Sequence, residues 1–241
     1  MKKLILTKKR LLICYSNSLG VKIINLLKKK YDLKIYTSDK PVTKKHIFIK
    51  NKEEFEFKIK KETDKFDFII LIYWPFILNK RYFDKFKNSI NFHPSYLPYL
   101  RGWYPHVHAK IKDLIWGVTL HQINYGIDTG NIWVQKKINI NLMDDNAQIH
   151  KNGQNELFKL FKLNYQKIIN GKIKPIKQKK VLKFLKKEDL NQYNNIDLGK
   201  KLTFREFIKL FLARSYKNKS FINLKYNKKN YNLRLLVKDS K

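Results

Sequence analysis

Residues 66–73 read Phe-Asp-Phe-Ile-Ile-Leu-Ile-Tyr, a nearly unbroken apolar run of strand length. Such a run is typical of a strand that is buried on both faces of a parallel sheet. Shorter apolar runs at Leu11–Tyr15, Leu33–Thr37, His46–Ile49 and Ile90–His93 predict further strands, and a helical pattern separates the first two of them. Strands that alternate with helices indicate an α/β sheet that is at least partly parallel.

The pattern changes after residue 116. Gly117–Tyr125 and Asn131–Ile140 both read as strands, and the segment between them is Gly126-Ile127-Asp128-Thr129-Gly130. Two glycines in a short connection are typical of an antiparallel pair. The predicted fold class is therefore α/β with a mixed, mostly parallel sheet.

The C-terminal part is expected to form a smaller unit. A helix that ends at Asn170-Gly171 is followed by a lysine-rich connector, residues 171–178, which we take as the start of the second domain. The predicted domains are 1–170 and 171–241, the latter holding a helix capped by Thr203 and a β-hairpin. A lone hairpin is marginal in water, so we expect it to pack on a partner such as a second subunit.

The charge of the chain is strongly positive and comes from lysine. The net charge is +34, with 47 lysines and six arginines. Proteins that bind nucleic acids usually rely on arginine, whose planar group matches phosphates and guanine edges. Because the lysines are spread over the whole length, a solvated lysine coat is a better interpretation than a nucleic-acid footprint. The field still favours anionic substrates.

Cysteine content and apolar runs bear on the compartment. Cys14 is the single cysteine, which excludes an internal disulfide framework and a multi-cysteine zinc site. Lys8, Lys9 and Arg10 interrupt the apolar run near the N-terminus, and no apolar stretch is long enough to cross a bilayer. We therefore expect a cytoplasmic protein that binds neither a membrane nor a metal.

Polar side chains stand at the end of the strand Ile90–His93. Asn91 and His93 are two residues apart, so their side chains leave the strand on the same face. The proline-rich segment 94–105 follows directly, and ligands bind at the carboxyl ends of strands in α/β sheets. An amide can donate a hydrogen bond to a developing oxyanion, and an imidazole can move a proton near neutral pH.

Asp128 is the carboxylate most suited to join this pair. It lies between Gly126 and Gly130, which let the backbone approach a ligand closely. Asp128 can orient His93 if its loop folds over that strand end, although an aspartate in such a loop is also a common turn residue. His121 lies on a predicted core strand and is interpreted as a structural histidine.

These motifs resemble those of the folate-dependent formyltransferases, which include glycinamide ribonucleotide, methionyl-tRNA and sugar N-formyltransferases. The resemblance is carried by Asn91-x-His93-x-Ser95-x-Leu97-Pro98 with Arg101-Gly102, then by Gly117-Val118-Thr119-x-His121 and Asp128-x-Gly130-x-Ile132-x-x-Gln135. It implies a Rossmann-like formyltransferase core, followed here by the small C-terminal helix and hairpin. It also implies a catalytic trio of Asn91, His93 and Asp128, and N10-formyltetrahydrofolate as the formyl donor.

The resemblance assigns two further groups of residues. The folate donor is expected to contact residues that follow two of the strands, namely Trp74, Pro75, Phe76, Ile77, Ile123, Asn124, Tyr125, Gly126 and Ile127. The acceptor is expected to contact the proline-rich loop, namely Pro94, Ser95, Tyr99, Leu100, Arg101, Gly102, Trp103 and Tyr104. Trp74 and Phe76 can equally be ordinary core residues, and aromatic residues such as Trp103 and Tyr104 also pack in cores and interfaces.

The run Arg101–Pro105 is most similar to sugar N-formyltransferases that act on nucleotide-linked 4-amino-4,6-dideoxyhexoses. This implies dTDP-4-amino-4,6-dideoxyglucose as the acceptor, a role in surface polysaccharide (O-antigen) synthesis, and a homodimer formed through the C-terminal hairpin, with no nucleic-acid partner. Two alternatives stay open. One is an enzyme like methionyl-tRNA formyltransferase, and the other is a basic nucleic-acid-binding module, which the intact trio disfavours.

Overall fold

The computed structural model describes residues 8–62, 65–77, 79, 82, 88–179 and 182–238. Its main sheet is formed by β1 (Arg10–Tyr15), β2 (Asp32–Thr37), β3 (His46–Phe48), β4 (Phe68–Ile72), β5 (Ser89–His93), β6 (Gly117–His121) and β7 (Ile132–Lys137). The helices are α1 (Ser18–Leu27), α2 (Lys52–Glu62), α3 (Pro105–Lys112), α4 (Asn146–Ile169) and α5 (Phe204–Ala213). None of these helices is both long and apolar enough to span a membrane.

The order of the main sheet is β3-β2-β1-β4-β5-β6-β7. The first five of these strands run parallel, and β6 is antiparallel to β5. All five residues of β4 are buried, which explains the apolar run that marks this strand in the sequence. The prediction of a mixed, mostly parallel α/β sheet is confirmed.

The last two strands of the sheet form the antiparallel pair that the glycines predict. The Gln122 N–H donates to Asn131 O at 2.8 Å, and the Ile138 N–H donates to Trp116 O at 3.1 Å. Both strands are shorter than expected, because residues 122–131 leave the sheet to form a loop. That loop carries Asp128.

The helix expected before Asn170-Gly171 is α4. At its start the Gln148 N–H donates to Asp145 Oδ1 at 2.8 Å, and Gly171 follows its end with φ +70°. Its apolar face is buried, and Phe161 packs on Phe92 of β5 with ring centroids 5.1 Å apart. This contact turns Phe92 toward the helix and so decides which face of β5 carries its neighbours.

The described residues pack as two compact units. The first lies within Met1–His93, Thr119–Gln135 and Leu157–Lys179, and the second within Pro94–Val118, Lys136–Glu156 and Lys180–Lys241. Each unit combines segments that are distant in sequence. The boundary expected at residue 171 divides the chain in sequence order instead and stays a prediction.

The C-terminal helix and hairpin lie in the second unit. Thr203 caps α5 by accepting the Glu206 N–H at 3.2 Å, while the Glu206 carboxylate accepts the Thr203 N–H at 2.8 Å. The strands β10 (Ile222–Tyr226) and β11 (Lys229–Leu233) pair antiparallel, as expected. Asn227 and Lys228 form the turn with φ of +46° and +61°, the positive values that a tight hairpin turn requires. The unit is completed by β8 (Ser215–Tyr216), β9 (Lys219–Ser220) and a 3-10 helix, Lys187–Tyr193.

Buried histidines in the second unit make its stability depend on pH. The His106 Nε2–H donates to Asn146 Oδ1 at 2.7 Å, and the ring lies 5.7 Å from that of His150. Burial, aided by the nearby His150, lowers the pKa of His106 to about 4. Burial lowers the pKa of His108 and of His150 as well.

We expect the melting temperature to fall as the pH is lowered from about 6.5, the pKa of a histidine in an unfolded chain, to about 4. In this range His106 binds a proton in the unfolded chain but stays neutral in the folded protein. Lowering the pH therefore favours the unfolded state. Calorimetry at several pH values checks this, with His106→Gln as the comparison. The variant should lose less stability over this range, and an unchanged slope would contradict the assignment.

Candidate active site

Strand β5 presents the first two candidate catalytic residues. Asn91 pairs with His121 of β6, and His93 pairs with Thr119. Because Phe92 faces α4, Asn91 and His93 lie together on the opposite face of the strand. The His93 side chain is 6% exposed, so it is held in a largely dehydrated setting.

The loop between β6 and β7 folds over this face and brings in Asp128. Its Oδ2 lies 3.4 Å from His93 Nδ1, and its Oδ1 lies 3.4 Å from Asn91 Nδ2. These distances are long for hydrogen bonds, but catalytic contacts commonly tighten only when substrate binds. The structure thus brings the three residues expected from the motifs into one cluster.

His121 is a member of this cluster that the sequence reading missed. Its Nδ1 donates to Gln122 O at 2.7 Å, so its Nε2 accepts a hydrogen bond from Asn91 Nδ2 at 3.1 Å. The same Nε2 lies 3.5 Å from Asp128 Oδ1. His121 is hydrogen-bonded, as expected of a structural histidine, but it also fixes the Asn91 amide. The signal that could have found it is the antiparallel pairing that sets it opposite Asn91.

The loop conformation explains the glycines beside Asp128. Gly126 has φ +123°, and a Cβ on Gly130 would lie 1.7 Å from Gln122 O, so neither position accepts a side chain. Asp128 itself has φ +53°, a left-handed conformation that costs energy for a residue with a Cβ. Backbone strain at such a position persists only where surrounding contacts hold it.

The two segments expected to contact the folate donor meet in the first unit. Trp74 and Phe76 follow β4 and pack against Phe55, with ring centroids 4.9 Å and 6.4 Å away. Ile123 packs on the same buried cluster, while Pro75 and Ile77 are exposed. Within the described residues the buried Trp74 Nε1–H has no hydrogen-bond partner. An apolar wall with one unused donor suits the flat, acceptor-rich ring of a pterin.

The residues expected to contact the acceptor lie in the second unit. Ser95 donates to Tyr99 O at 2.9 Å, and Arg101 is only 4% exposed. The rings of Trp103 and Tyr104 are exposed, with centroids 5.9 Å apart. Exposed aromatic side chains side by side are available to a planar group such as a nucleotide base.

Gly102 is explained in this structure by a backbone contact. It has φ +92°, and a Cβ there would lie 2.2 Å from Leu185 O. That same oxygen accepts the Trp103 N–H at 3.0 Å. The expectation that the glycine admits a diphosphate stays a prediction beside this packing role.

The cluster in the first unit holds the types of group that acyl transfer uses. A carboxylate at Nδ1 of His93 keeps the proton on that nitrogen, so the ring takes up a further proton at Nε2. The Asn91 amide supplies an N–H beside it for an oxygen that gains negative charge. A base and an oxyanion donor on one strand face are the minimum that attack on a carbonyl carbon needs.

Comparison with known proteins places the chain among enzymes of this chemistry. It is 28% identical over 119 residues to the dTDP-4-amino-4,6-dideoxyglucose formyltransferase of Mycobacterium bovis, an alignment that covers 49% of this chain and 51% of that protein. It is 37% identical over 87 residues to the methionyl-tRNA formyltransferase of Borreliella burgdorferi, covering 35% of this chain and 28% of that protein. The chain thus aligns with about half or less of these curated relatives.

Solved structures show the same fold. A 4-N formyltransferase from Francisella tularensis superposes with a TM-score of 0.83 at 20% identity, covering 96% of this chain and 99% of that one. The N-formyltransferase of Helicobacter canadensis, in complex with folinic acid and dTDP-3-aminofucose, gives 0.70 at 24% identity, covering 91% and 85%. A family model described as formyl transferase matches residues 8–161. This match confirms the resemblance that the motifs indicate, and the chain belongs to the formyl transferase family.

Proposed function

We propose that this protein is a sugar N-formyltransferase that moves a formyl group from N10-formyltetrahydrofolate to the amino group of a nucleotide-linked amino sugar. The observation that carries the proposal is the cluster of Asn91, His93 and Asp128 in a chain of this family. The proposed donor is further supported by the structure from Helicobacter canadensis, which holds folinic acid.

Different residues of the chain carry out proton transfer, stabilisation of the oxyanion and binding of the donor. N10-formyltetrahydrofolate supplies the formyl carbon when bound. The attacking amine must lose a proton as it bonds to this carbon. His93 would take that proton at Nε2 while Asp128 holds Nδ1, and would return it to the donor nitrogen as the bond between that nitrogen and the formyl carbon breaks. Asn91 donates to the formyl oxygen as its negative charge grows. Trp74, Phe76 and Ile123 are the residues that would hold the donor's ring.

The acceptor that we propose is dTDP-4-amino-4,6-dideoxyglucose, used in the cytoplasm for surface polysaccharide such as O-antigen. The Mycobacterium bovis relative carries that substrate in its name, and the Francisella tularensis structure is that of a 4-N formyltransferase. The structure from Helicobacter canadensis instead holds dTDP-3-aminofucose, so a 3-amino sugar is the closest competitor. Trp103 and Tyr104, whose rings are exposed, are the residues that we expect to contact the acceptor. The positive charge of the buried Arg101 and the net charge of +34 favour an anionic diphosphate.

We also propose that the protein forms a homodimer through the C-terminal hairpin. Tyr226 of β10 and Tyr231 of β11 are 53% and 44% exposed, and Phe204 at the start of α5 is 78% exposed. Large aromatic side chains exposed on a hairpin and on a helix of the same unit are typical of an interface with another chain.

Mass spectrometry of reaction products tests the function. Purified protein is incubated with N10-formyltetrahydrofolate and, separately, with dTDP-4-amino-4,6-dideoxyglucose, a dTDP-3-amino-dideoxy sugar and methionyl-tRNA. We expect one formyl group to be added to the 4-amino sugar nucleotide, and no addition with His93→Ala protein. Formylation of the 3-amino sugar alone would change the acceptor but keep the reaction class.

Methionyl-tRNA is included because two observations favour it. The Borreliella burgdorferi relative is a methionyl-tRNA formyltransferase, and the strong positive charge would attract RNA. Formylation of methionyl-tRNA without any sugar product would overturn the proposed substrate class. No formyl product from any of the three acceptors would count against the enzyme itself.

A further inference from the structure

We propose that Gln178 positions Asp128 for catalysis by holding the backbone of its loop from outside. The proposal rests on the proposed function, because it assigns Gln178 a role through the Asp128 carboxylate. Gln178 lies fifty residues further along the chain, at the end of the segment that the sequence alone indicates as a lysine-rich connector.

The Gln178 side chain makes two hydrogen bonds to the catalytic loop. Its Nε2 donates to Asp128 O at 2.9 Å and to Gly130 O at 2.8 Å. Both N–H groups of one amide are thereby directed at carbonyls on either side of Thr129. Gln178 is 6% exposed, so water does not compete freely for these carbonyls.

This loop needs such an anchor because its conformation is costly. Asp128 has φ +53°, and Gly130 lies too close to Gln122 O for any side chain. Thr129 Oγ1 donates to Asn124 Oδ1 at 2.7 Å, but that bond joins two parts of the same loop. Gln178 instead ties the loop to a segment outside it, and so resists movement of the whole turn.

Gln178 is itself held in place by the sheet. Ile176 and Ile132 exchange two backbone hydrogen bonds of 2.8 Å each, so the connector pairs with the first residue of β7. Two residues further on, the Gln178 side chain reaches the loop that precedes the same strand. The connector therefore links β7 and the Asp128 loop into one rigid arrangement.

The contacts at this position require a side chain with two N–H donors, which glutamine supplies. Two carbonyl oxygens must be met by two N–H donors on a side chain of this length. A glutamate offers acceptors where donors are needed, and a methionine fills the space without any hydrogen bond. Gln178→Met and Gln178→Glu therefore remove the anchor while keeping the shape of the side chain.

Steady-state kinetics of these variants test the proposal. At saturating substrates we expect kcat to fall by about 10- to 100-fold in both, with KM for each substrate changed much less. Gln192→Met is the control, because the exposed Gln192 also donates through Nε2 to a backbone carbonyl, Asp189 O at 2.6 Å, that is not part of the catalytic loop. That control should keep its kcat.

A double-mutant cycle separates positioning from a general structural role. In an Asp128→Asn background, Gln178→Met should cost less than about twofold in kcat, because the carboxylate it positions is gone. A loss of equal size in both backgrounds would overturn the proposal. So would wild-type kcat in both Gln178 variants.

Hydrogen exchange without substrate keeps this outcome distinct from failure of the proposed function. Amides of residues 124–131 should exchange faster in Gln178→Met than in the wild type, while those of β4 stay unchanged. Unchanged exchange in the loop overturns the anchor even if the enzyme is active. If the wild type forms no formyl product, the proposed function fails, and faster loop exchange still supports the anchor.

Discussion

We expect His93→Ala to lower kcat for formyl transfer by about 100- to 10,000-fold, the usual range for loss of a general base. The amine cannot complete its attack while it keeps its proton, and His93 is the imidazole that Asp128 holds, at 3.4 Å from Nδ1. Because the proton moves only as the new bond forms, kcat and kcat/KM should fall together, and KM for the sugar should change little.

The measurement is steady-state kinetics of product formation with the sugar nucleotide varied at saturating donor. His46→Gln is the control, since His46 is another buried histidine of the first unit, hydrogen-bonded to the Tyr15 hydroxyl at 2.7 Å. It should keep the wild-type rate. Circular dichroism and melting temperature establish that the His93 variant is folded. A folded His93→Ala protein within about threefold of the wild-type rate would remove His93 from the mechanism.

Much of the fold follows from local sequence patterns. The apolar run at residues 66–73 predicts β4, because a strand covered on both faces needs no polar side. Asn91 and His93 could be placed on one face because the two-residue period of a strand is a property of the backbone. These features depend on near neighbours in the chain, which is why they can be read without a structure.

Contacts between segments that are distant in the chain could not be predicted from local patterns. His121 is hydrogen-bonded to Asn91 only because the register between β5 and β6 sets the two residues opposite each other. No local sequence pattern predicts that register. Gln178 lies in a lysine-rich stretch that the sequence indicates as a connector between domains, yet Ile176 pairs with Ile132 and Gln178 is buried. In both cases the tertiary partner decides the role of the residue, so composition alone is a poor guide.

The contact between Asp128 and His93 could be predicted only in part from the sequence. The glycines at 126 and 130 correctly mark a tight loop that side chains cannot enter. They do not say where the loop lies. From the sequence, Asp128 is expected to orient His93 only if its loop folds over the end of β5. The 3.4 Å distance between Asp128 Oδ2 and His93 Nδ1 shows that the loop does so.

We expect loss of the Asn91 amide to lower kcat nearly as much as loss of His93, the proposed base. Its Nδ2 donates to His121 Nε2 at 3.1 Å, a bond that holds the amide, and points toward Asp128 Oδ1 at 3.4 Å, a contact long enough to be exchanged. The N–H of that weaker contact is the one that can turn to the formyl oxygen as negative charge develops there. A donor fixed in advance is effective because little rearrangement is needed when the charge appears.

We therefore expect Asn91→Ala to lower kcat by about 100- to 1,000-fold, as for loss of one oxyanion donor. Asn164→Ala is the control, because that amide donates to Leu160 O at 2.8 Å within α4 and has no part in the cluster. Asn91→Asp keeps the shape but replaces the donor with a second carboxylate beside Asp128, so it should be no more active than Asn91→Ala. An active Asn91→Asp enzyme would mean that position 91 serves by its shape alone, and the oxyanion would then have to be stabilised by another group.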